Sequence, residues 1–184
     1  MATAESVKAK LQNLLTLANG TTGNTDATLT AAVNALIAGF GQGGGGGGVS
    51  AIASGKFTPA ENVLEVTVNT GVENMNTFML YAKADVRNKG VKAGFCVFID
   101  NIKTTSNTNG VMVFTNNSGT GWSNIDISFK INVSESDGER AYWIVNNTRT
   151  TFYVNGDVKI KTSDAAGSCF GYFIGGVEYQ WYAW

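Results

Sequence analysis

Four carboxylates stand where chemistry could use them: Asp100, Asp126, Asp157 and Glu178. A glycoside hydrolase needs two acids flanking one sugar bond, about 5–5.5 Å or 6.5–9.5 Å apart. Most of these four lie beside turn-forming residues, where acids are ordinarily solvated. The chain contains no histidine, which removes Ser-His-Asp and Cys-His catalysis, histidine metal sites and histidine pH switches. Its two cysteines, Cys96 and Cys169, cannot build a four-cysteine zinc site. Both sit in or beside strand-like runs, where a buried free thiol is the default, and a disulfide between them needs neighbouring strands. Asp100-Asn101 and the loop Ser134 to Glu139 have calcium-like composition but lack the spacing of a calcium loop. The glycine run Gly43 to Gly48 leads into the strand-like Val49 to Ile52 rather than a helix, so it is not a phosphate loop. The expectation is a chain with no metal, no cofactor and no enzymatic activity, with a paired-carboxylate hydrolase as the alternative.

Aromatic residues are the better functional candidates. In the tail Tyr179-Gln180-Trp181-Tyr182-Ala183-Trp184, strand alternation puts Tyr179, Trp181 and Ala183 on one face and Gln180, Tyr182 and Trp184 on the other. Both faces of one strand cannot enter a single core, so one face is free to meet a ligand or a sister subunit. Trp122, in the polar loop Asn117 to Ser123, is a further candidate. Sugar sites typically stack a ring on Trp or Tyr beside Asn, Asp or Gln donors. Trp122, Tyr179, Trp181, Tyr182 and Trp184 therefore form the candidate contact set.

The elements that must position these residues divide sharply near residue 40. Phe40 is the only aromatic among residues 1–40, and every other Phe, Tyr and Trp lies beyond residue 49. Gly41, Gln42 and the glycine run 43–48 separate the two parts, so the chain reads as 1–40, a linker 41–48, and 49–184. At about 5–6 Å × √n, the linker's root-mean-square reach is roughly 15 Å.

In the first part Val7, Leu11, Leu14, Leu15 and Ala18 fall on one helical face, and Asn19-Gly20 ends the pattern. Asp26 or Thr28 can cap a second helix, in which Leu29, Val33, Leu36 and Ile37 repeat the spacing. This predicts a short helical hairpin. Forty residues without disulfide or metal rarely stand alone. Its apolar stripe must meet its own copies, a larger host protein, or the second part of the chain; anchoring or oligomerisation is the favoured reading.

The second part reads as all-β. Val63 to Val68 alternates with period two. Short strand-like runs follow at Phe78–Tyr81, Phe95–Ile99, Val111–Phe114, Ile125–Ile131 and Tyr142–Val145. Further runs are Thr151–Val154, Val158–Ile160, Phe170–Ile174 and Val177–Trp181, with Gly- and Asn-rich turns between. The fold class expected is mainly β, an antiparallel β-sandwich or jelly-roll-like domain preceded by the helical hairpin and the Gly-rich linker. Asn155-Gly156, between Phe152-Tyr153-Val154 and Asp157 to Ile160, carries the type I′ hairpin signature. Lys and Arg number 13 against 14 Asp and Glu, a net charge of −1, which argues against a nucleic-acid partner held by phosphate neutralisation. No run reaches 18 apolar residues, so no membrane partner is expected, and Met1 to Lys10 is not read as a signal peptide.

The runs Ser6 to Gln12, Ala18 to Gly23, Asp26 to Val33 and Leu36 to Gly44 resemble the anchor segment of tailed-bacteriophage virion proteins. Such segments precede variable β domains in fibre, head-fibre and decoration proteins. Ser54 to Asn62 and Val66 to Gly71 look like the opening of a β domain common in them. Phe152 to Ile160 with Phe173-Ile174-Gly175-Gly176 is similar to short stretches of concanavalin-like and laminin-G-like sandwiches, without their calcium residues in recognisable spacing.

The resemblance implies a protein made in the host cytoplasm and placed on the virion surface. Its anchor residues would be Val7, Leu11, Leu14, Leu15, Leu29, Val33, Leu36 and Ile37. Its partners would be other virion proteins of capsid or tail, two sister copies in a homotrimer, and a host-surface glycan. A fibre-borne glycan hydrolase and a purely structural capsid decoration are the alternatives.

Overall fold

A computed structural model describes residues 51–102, 108–116, 121–129, 138–166 and 168–184. The chain divides between residues 51 and 52 into two units. The predicted helical hairpin, its eight anchor residues and the 41–48 linker lie outside the described residues, as do the loop 130–137 and parts of two other predicted turns.

Among the described residues the structure is all-β. The strands are β1 (Ala53–Phe57), β2 (Glu65–Asn69), β3 (Phe78–Ala82), β4 (Gly94–Asp100) and β5 (Thr108–Thr115), followed by β6 (Trp122–Phe129), β7 (Glu139–Val145), β8 (Thr148–Tyr153), β9 (Asp157–Lys161) and β10 (Tyr179–Ala183). They form two antiparallel sheets, one of order β1-β10-β3-β4-β5-β6 and one of order β2-β9-β8-β7, the arrangement of a β-sandwich. Each is built around consecutive hairpins, β3 to β6 and β7 to β9.

The sheets meet through aromatic rings. Phe78 of β3 lies edge-on to Phe152 of β8, centroids 6.2 Å apart. Gly110 sits within β5, and a Cβ there would stand 2.9 Å from the Trp143 ring of β7. The missing side chain lets the largest core residue lie flat against the facing sheet.

The central strands β3 and β4 of the six-stranded sheet are buried on both faces. Met79, Tyr81, Cys96 and Phe98 alternate with the residues that face the second sheet, yet each is at most 4% exposed. The cause is legible in β3 and β4, whose Phe-Met-Leu-Tyr-Ala and Gly-Phe-Cys-Val-Phe-Ile runs are apolar without interruption. Continuous runs of this kind bury both sides of a strand.

The β8–β9 hairpin corrects the expected two-residue turn. Phe152 pairs with Val158 and Thr150 with Ile160, and all four are buried. A type I′ turn at Asn155-Gly156 would place Phe152 opposite Lys159, forcing an amine onto the core face, because a one-residue slip inverts every side chain. The chain therefore closes with a three-residue loop. Gly156 N donates to the Tyr153 carbonyl at 3.1 Å, and Gly156 alone takes a left-handed φ of 87°, the pattern of a type I turn followed by a glycine bulge. The two-residue turn occurs instead between β7 and β8, where Asn146 and Asn147 have φ of 39° and 65° and Val145 pairs with Thr148.

The predicted strand Phe170–Ile174 is reduced to isolated bridges at Tyr172 and Phe173. Phe170 and Gly171 have φ of 60° and 70°, outside extended geometry. Both cysteines are buried and free. Cys169 lies near Met112 Sδ (3.7 Å) on the side of β5 that faces the second sheet, whereas Cys96 projects from the opposite face of the same sheet. The expected result is that neither thiol reacts with a disulfide reagent in buffer and both react in denaturant; fast labelling of the folded chain would contradict this placement.

Candidate functional site: a polar cleft at one end of the sandwich

The C-terminal strand does not present its aromatics as the sequence suggested. β10 is not an edge; it lies between β1 and β3. Tyr179 is fully buried, stacked on Phe57 at 5.4 Å and edge-on to Phe173 at 5.3 Å. Its hydroxyl accepts the Ile174 N–H at 2.8 Å, the usual polar handle of a buried tyrosine. Trp181 is 9% exposed and Trp184 8%. Tyr179 is thus a core residue, and Trp181 and Trp184 offer little surface.

Tyr182 and Trp122 remain half-buried. They share the face of the six-stranded sheet that points away from the second sheet, but β3, β4 and β5 lie between their strands, a separation of about 19 Å at ~4.8 Å per strand. They are not one patch. Trp122 is packed under Arg87, 5.5 Å from its ring, and against Phe95 at 4.9 Å.

The paired carboxylates are also kept apart. Asp100 accepts the Thr77 hydroxyl at 2.6 Å, at one end of β3. The Glu178 carbonyl accepts the Lys83 N–H at 2.8 Å, at the other end. That spacing is about 20 Å at ~3.3 Å per residue, well beyond either hydrolase geometry. Glu178 forms an exposed ion pair with Lys56 at 2.9 Å, and Asp157 closes its hairpin by accepting from Asn155 Nδ2 at 3.0 Å. Asp126 lies on β6, its side chain outside the described set. Among the described residues no three His, Cys, Asp or Glu are grouped to hold a metal ion, and no helix is long and apolar enough to cross a membrane.

What the fold does bring together is a cleft of about 280 Å³ at one end of the sandwich. Phe114 and Ser123, paired across β5 and β6, form one wall. Asn116 at the end of β5 and Asn146 in the β7–β8 turn form the rim, with Lys92, Ser168 and Cys169 completing it.

Each wall is fixed by backbone bonding. Ala93 N donates to Thr115 Oγ1 at 2.7 Å, and Thr115 N donates to the Ala93 carbonyl at 2.8 Å. Asn116 N closes on the Gly121 carbonyl at 2.9 Å, and Tyr172 N donates to the Lys92 carbonyl at 2.8 Å. Beneath the cleft, the hydroxyls of Thr148 and Thr162 lie 3.0 Å apart and both donate to the Cys169 carbonyl.

The buried segment Ser168-Cys169 runs into a strained residue. Phe170, at φ 60°, is a bulky side chain in left-handed geometry, which is rare. Its fully buried ring fills the space left by the absent side chain of Gly94, so core packing offsets the strain.

The electrostatics suit recognition. The Lys92 ammonium donates to the Ser168 carbonyl. The Ser168 hydroxyl is buried, with 3% of the residue exposed, and has no hydrogen-bond partner. Burial pushes the Cys169 thiol above its usual pKa, partly opposed by its hydrogen bond with Thr148, so the neutral form persists and the thiol is a poor nucleophile. Among the described residues that line it the cleft offers a cation, amides, hydroxyls and one ring edge.

None of these residues belongs to a sequence motif. Trp122 drew attention to its loop, one residue from Ser123, but the alternation of β6 turns Trp122 to the other face. Compared with known proteins, the chain matches no family model, and no curated protein or solved structure is significantly similar to it.

Proposed function

We propose that the chain is a structural, adhesive protein of a tailed-phage surface. In this reading residues 1–40 attach to capsid or tail proteins and gather three copies, 41–48 tether them, and the sandwich faces outward. The sandwich then adheres weakly to host-surface glycans, with avidity from many copies. The observation that supports the reading is the end cleft, whose described residues supply the donors of a recognition site: an ammonium, amides and hydroxyls. The division of the chain at residues 51 and 52 supports the two-part plan, and the resemblance of residues 6–44 to virion anchors supports the location.

Deleting residues 1–42 is expected to leave a soluble domain that unfolds cooperatively in urea but no longer joins the particle. Normal incorporation of the truncated chain would remove the anchoring assignment. Host-cell adsorption that is unchanged in particles lacking the sandwich would remove the adhesive one.

A further inference from the structure

We infer that Asn155, at the tip of the β8–β9 hairpin, is a site of spontaneous deamidation, and that opening of the hairpin tip sets its rate. Asparagine before glycine is the pair most open to this reaction, because no side chain on the second residue hinders attack by its nitrogen. Two Asn-Gly pairs fall among the described residues. Asn109-Gly110 lies inside β5, with β4 on one side and β6 on the other, whereas Asn155 is exposed in a turn between strands. The chemistry needs only the chain and water. The Gly156 backbone nitrogen gives up its proton and attacks Asn155 Cγ. The Cγ–Nδ2 bond breaks, and the amide nitrogen leaves as ammonia with that proton. Water then opens the five-membered imide at either carbonyl, giving aspartate or isoaspartate.

The closed hairpin restrains both reacting groups. The nucleophile, the Gly156 N–H, donates to the Tyr153 carbonyl at 3.1 Å. The electrophile, the Asn155 amide, is held at both ends by one residue: its Oδ1 accepts the Asp157 N–H at 3.1 Å, and its Nδ2 donates to Asp157 Oδ2 at 3.0 Å. Gly156 itself is buried. Its carbonyl accepts the Thr70 hydroxyl, and a Cβ on it would stand 2.5 Å from Val72 N. The imide ring forms only when these contacts release. Opening a loop tip costs less than unfolding the domain, so the folded chain reacts slowly rather than not at all. The products do not fit back. Aspartate at this position sets a second carboxylate oxygen where Asp157 Oδ2 now receives an N–H. The other oxygen, Asp157 Oδ1, is buried without a partner, so turning the Asp157 carboxylate brings no relief. Isoaspartate adds a methylene to the backbone of a loop whose length sets the pairing of Phe152 with Val158.

The test incubates the full-length protein in mildly alkaline buffer, folded or in urea. It follows the tryptic peptide Thr150–Lys159, in which Asn155 is the only amide side chain, for the mass gain of deamidation and for isoaspartate. The folded chain is expected to react at Asn155 about tenfold more slowly than the unfolded one. Thr70→Val, which removes the hydroxyl bond to Gly156, should raise the folded rate about fivefold. Should that variant fail to fold, the wild-type chain tests the same gate in urea below its midpoint: hydrogen exchange at the Gly156 N–H and deamidation should rise together. Asn155→Gln should leave the peptide unmodified over the same interval, because a six-membered imide closes more slowly. Asn155→Asp, which makes one product directly, should lower the urea midpoint by about 0.5 M. A folded peptide still unmodified long after the unfolded one is consumed would overturn the site. Equal folded and unfolded rates would overturn the gate, and an unchanged midpoint in Asn155→Asp would overturn the misfit of the product.

Discussion

Gly171→Ala is expected to be among the most damaging single substitutions in the sandwich, lowering stability by about 3–5 kcal/mol, since left-handed strain and overpacking add. Gly171 has φ of 70°, which costs an alanine about 1–2 kcal/mol. The new Cβ would also lie within 2.5 Å of the Lys92 carbonyl carbon and closer still to its oxygen. That carbonyl is backbone and already accepts the Tyr172 N–H, so it cannot swing away without breaking the bond that joins the 168–173 segment to the start of β4. Gly176→Ala is the internal control. Its φ is 76°, and nothing lies within 4 Å of a Cβ there, so it carries the conformational strain without the collision. With an m-value of about 2 kcal/mol per molar urea, Gly171→Ala should move the midpoint down by about 2 M and Gly176→Ala by about 0.5–1 M, the strain alone. Equal shifts would mean that Lys92 and Gly171 are not packed as described. Because Lys92 sits on the colliding carbonyl, the same variant should also disturb the cleft.

The link between that glycine and the cleft illustrates how the site is made. Phe170 accepts left-handed geometry because its ring is locked in the core against Gly94 and Phe173, 5.1 Å away. The chain on either side is thereby committed, with Cys169 toward Thr148 and Thr162 and Lys92 toward the Ser168 carbonyl. The cleft is held by the hydrophobic core rather than by its own polar groups. Substitutions at Asn116, Asn146 or Ser123 should therefore alter recognition with little effect on folding.

The strands were legible because period-two alternation and β-branched content are local properties. Val63 to Val68 announces β2, and the apolar runs of β3 and β4 announce strands buried on both sides. Hairpin closure was legible only in part. Asn155-Gly156 is the stronger local turn signal, yet the register demanded by Phe152, Val158 and Ile160 overrides it, and the weaker Asn146-Asn147 pair takes the two-residue turn. The tail misled for a related reason: alternation is local, but strand order is not. Tyr179 is interior because β1 pairs on its far side, with Ala53 opposite Ala183 and Phe57 opposite Tyr179. The cleft was not legible at all. Lys92, Phe114, Asn116, Ser123, Asn146 and Ser168 are common residues from separate segments, and only the folded register makes them neighbours.

Alkaline pH is expected to destabilise the sandwich through its buried thiols and phenols. Burial pushes the Cys96 thiol from its ordinary 9.0 up to about 12 and the Tyr179 phenol from 10.0 up to about 12, slightly opposed by its bond from Ile174. Tyr81 is raised as well, by burial first and then by Tyr182 and Cys96. In each case the unfolded chain releases a proton that the folded chain keeps. Above pH 9 the unfolded state therefore binds fewer protons, and stability falls as pH rises. Stability is full below pH 9, and each group then removes about 1.4 kcal/mol per pH unit between its unfolded and folded values. By pH 11 the thiol contributes a loss of about 3 kcal/mol and the Tyr179 phenol about 1, a large part of the 5–15 kcal/mol typical of a domain. Urea midpoints between pH 7 and 11 should stay flat to about pH 9 and then decline. Cys96→Ala should start lower, from the lost packing, but decline less steeply between pH 9 and 10, where the two buried thiols dominate and Cys169 alone remains. Tyr179→Phe should keep the early decline and lose part of the later one. The slope, unlike the starting stability, is not moved by cavity or hydrogen-bond losses, so an unchanged slope in Cys96→Ala would place that thiol in contact with solvent.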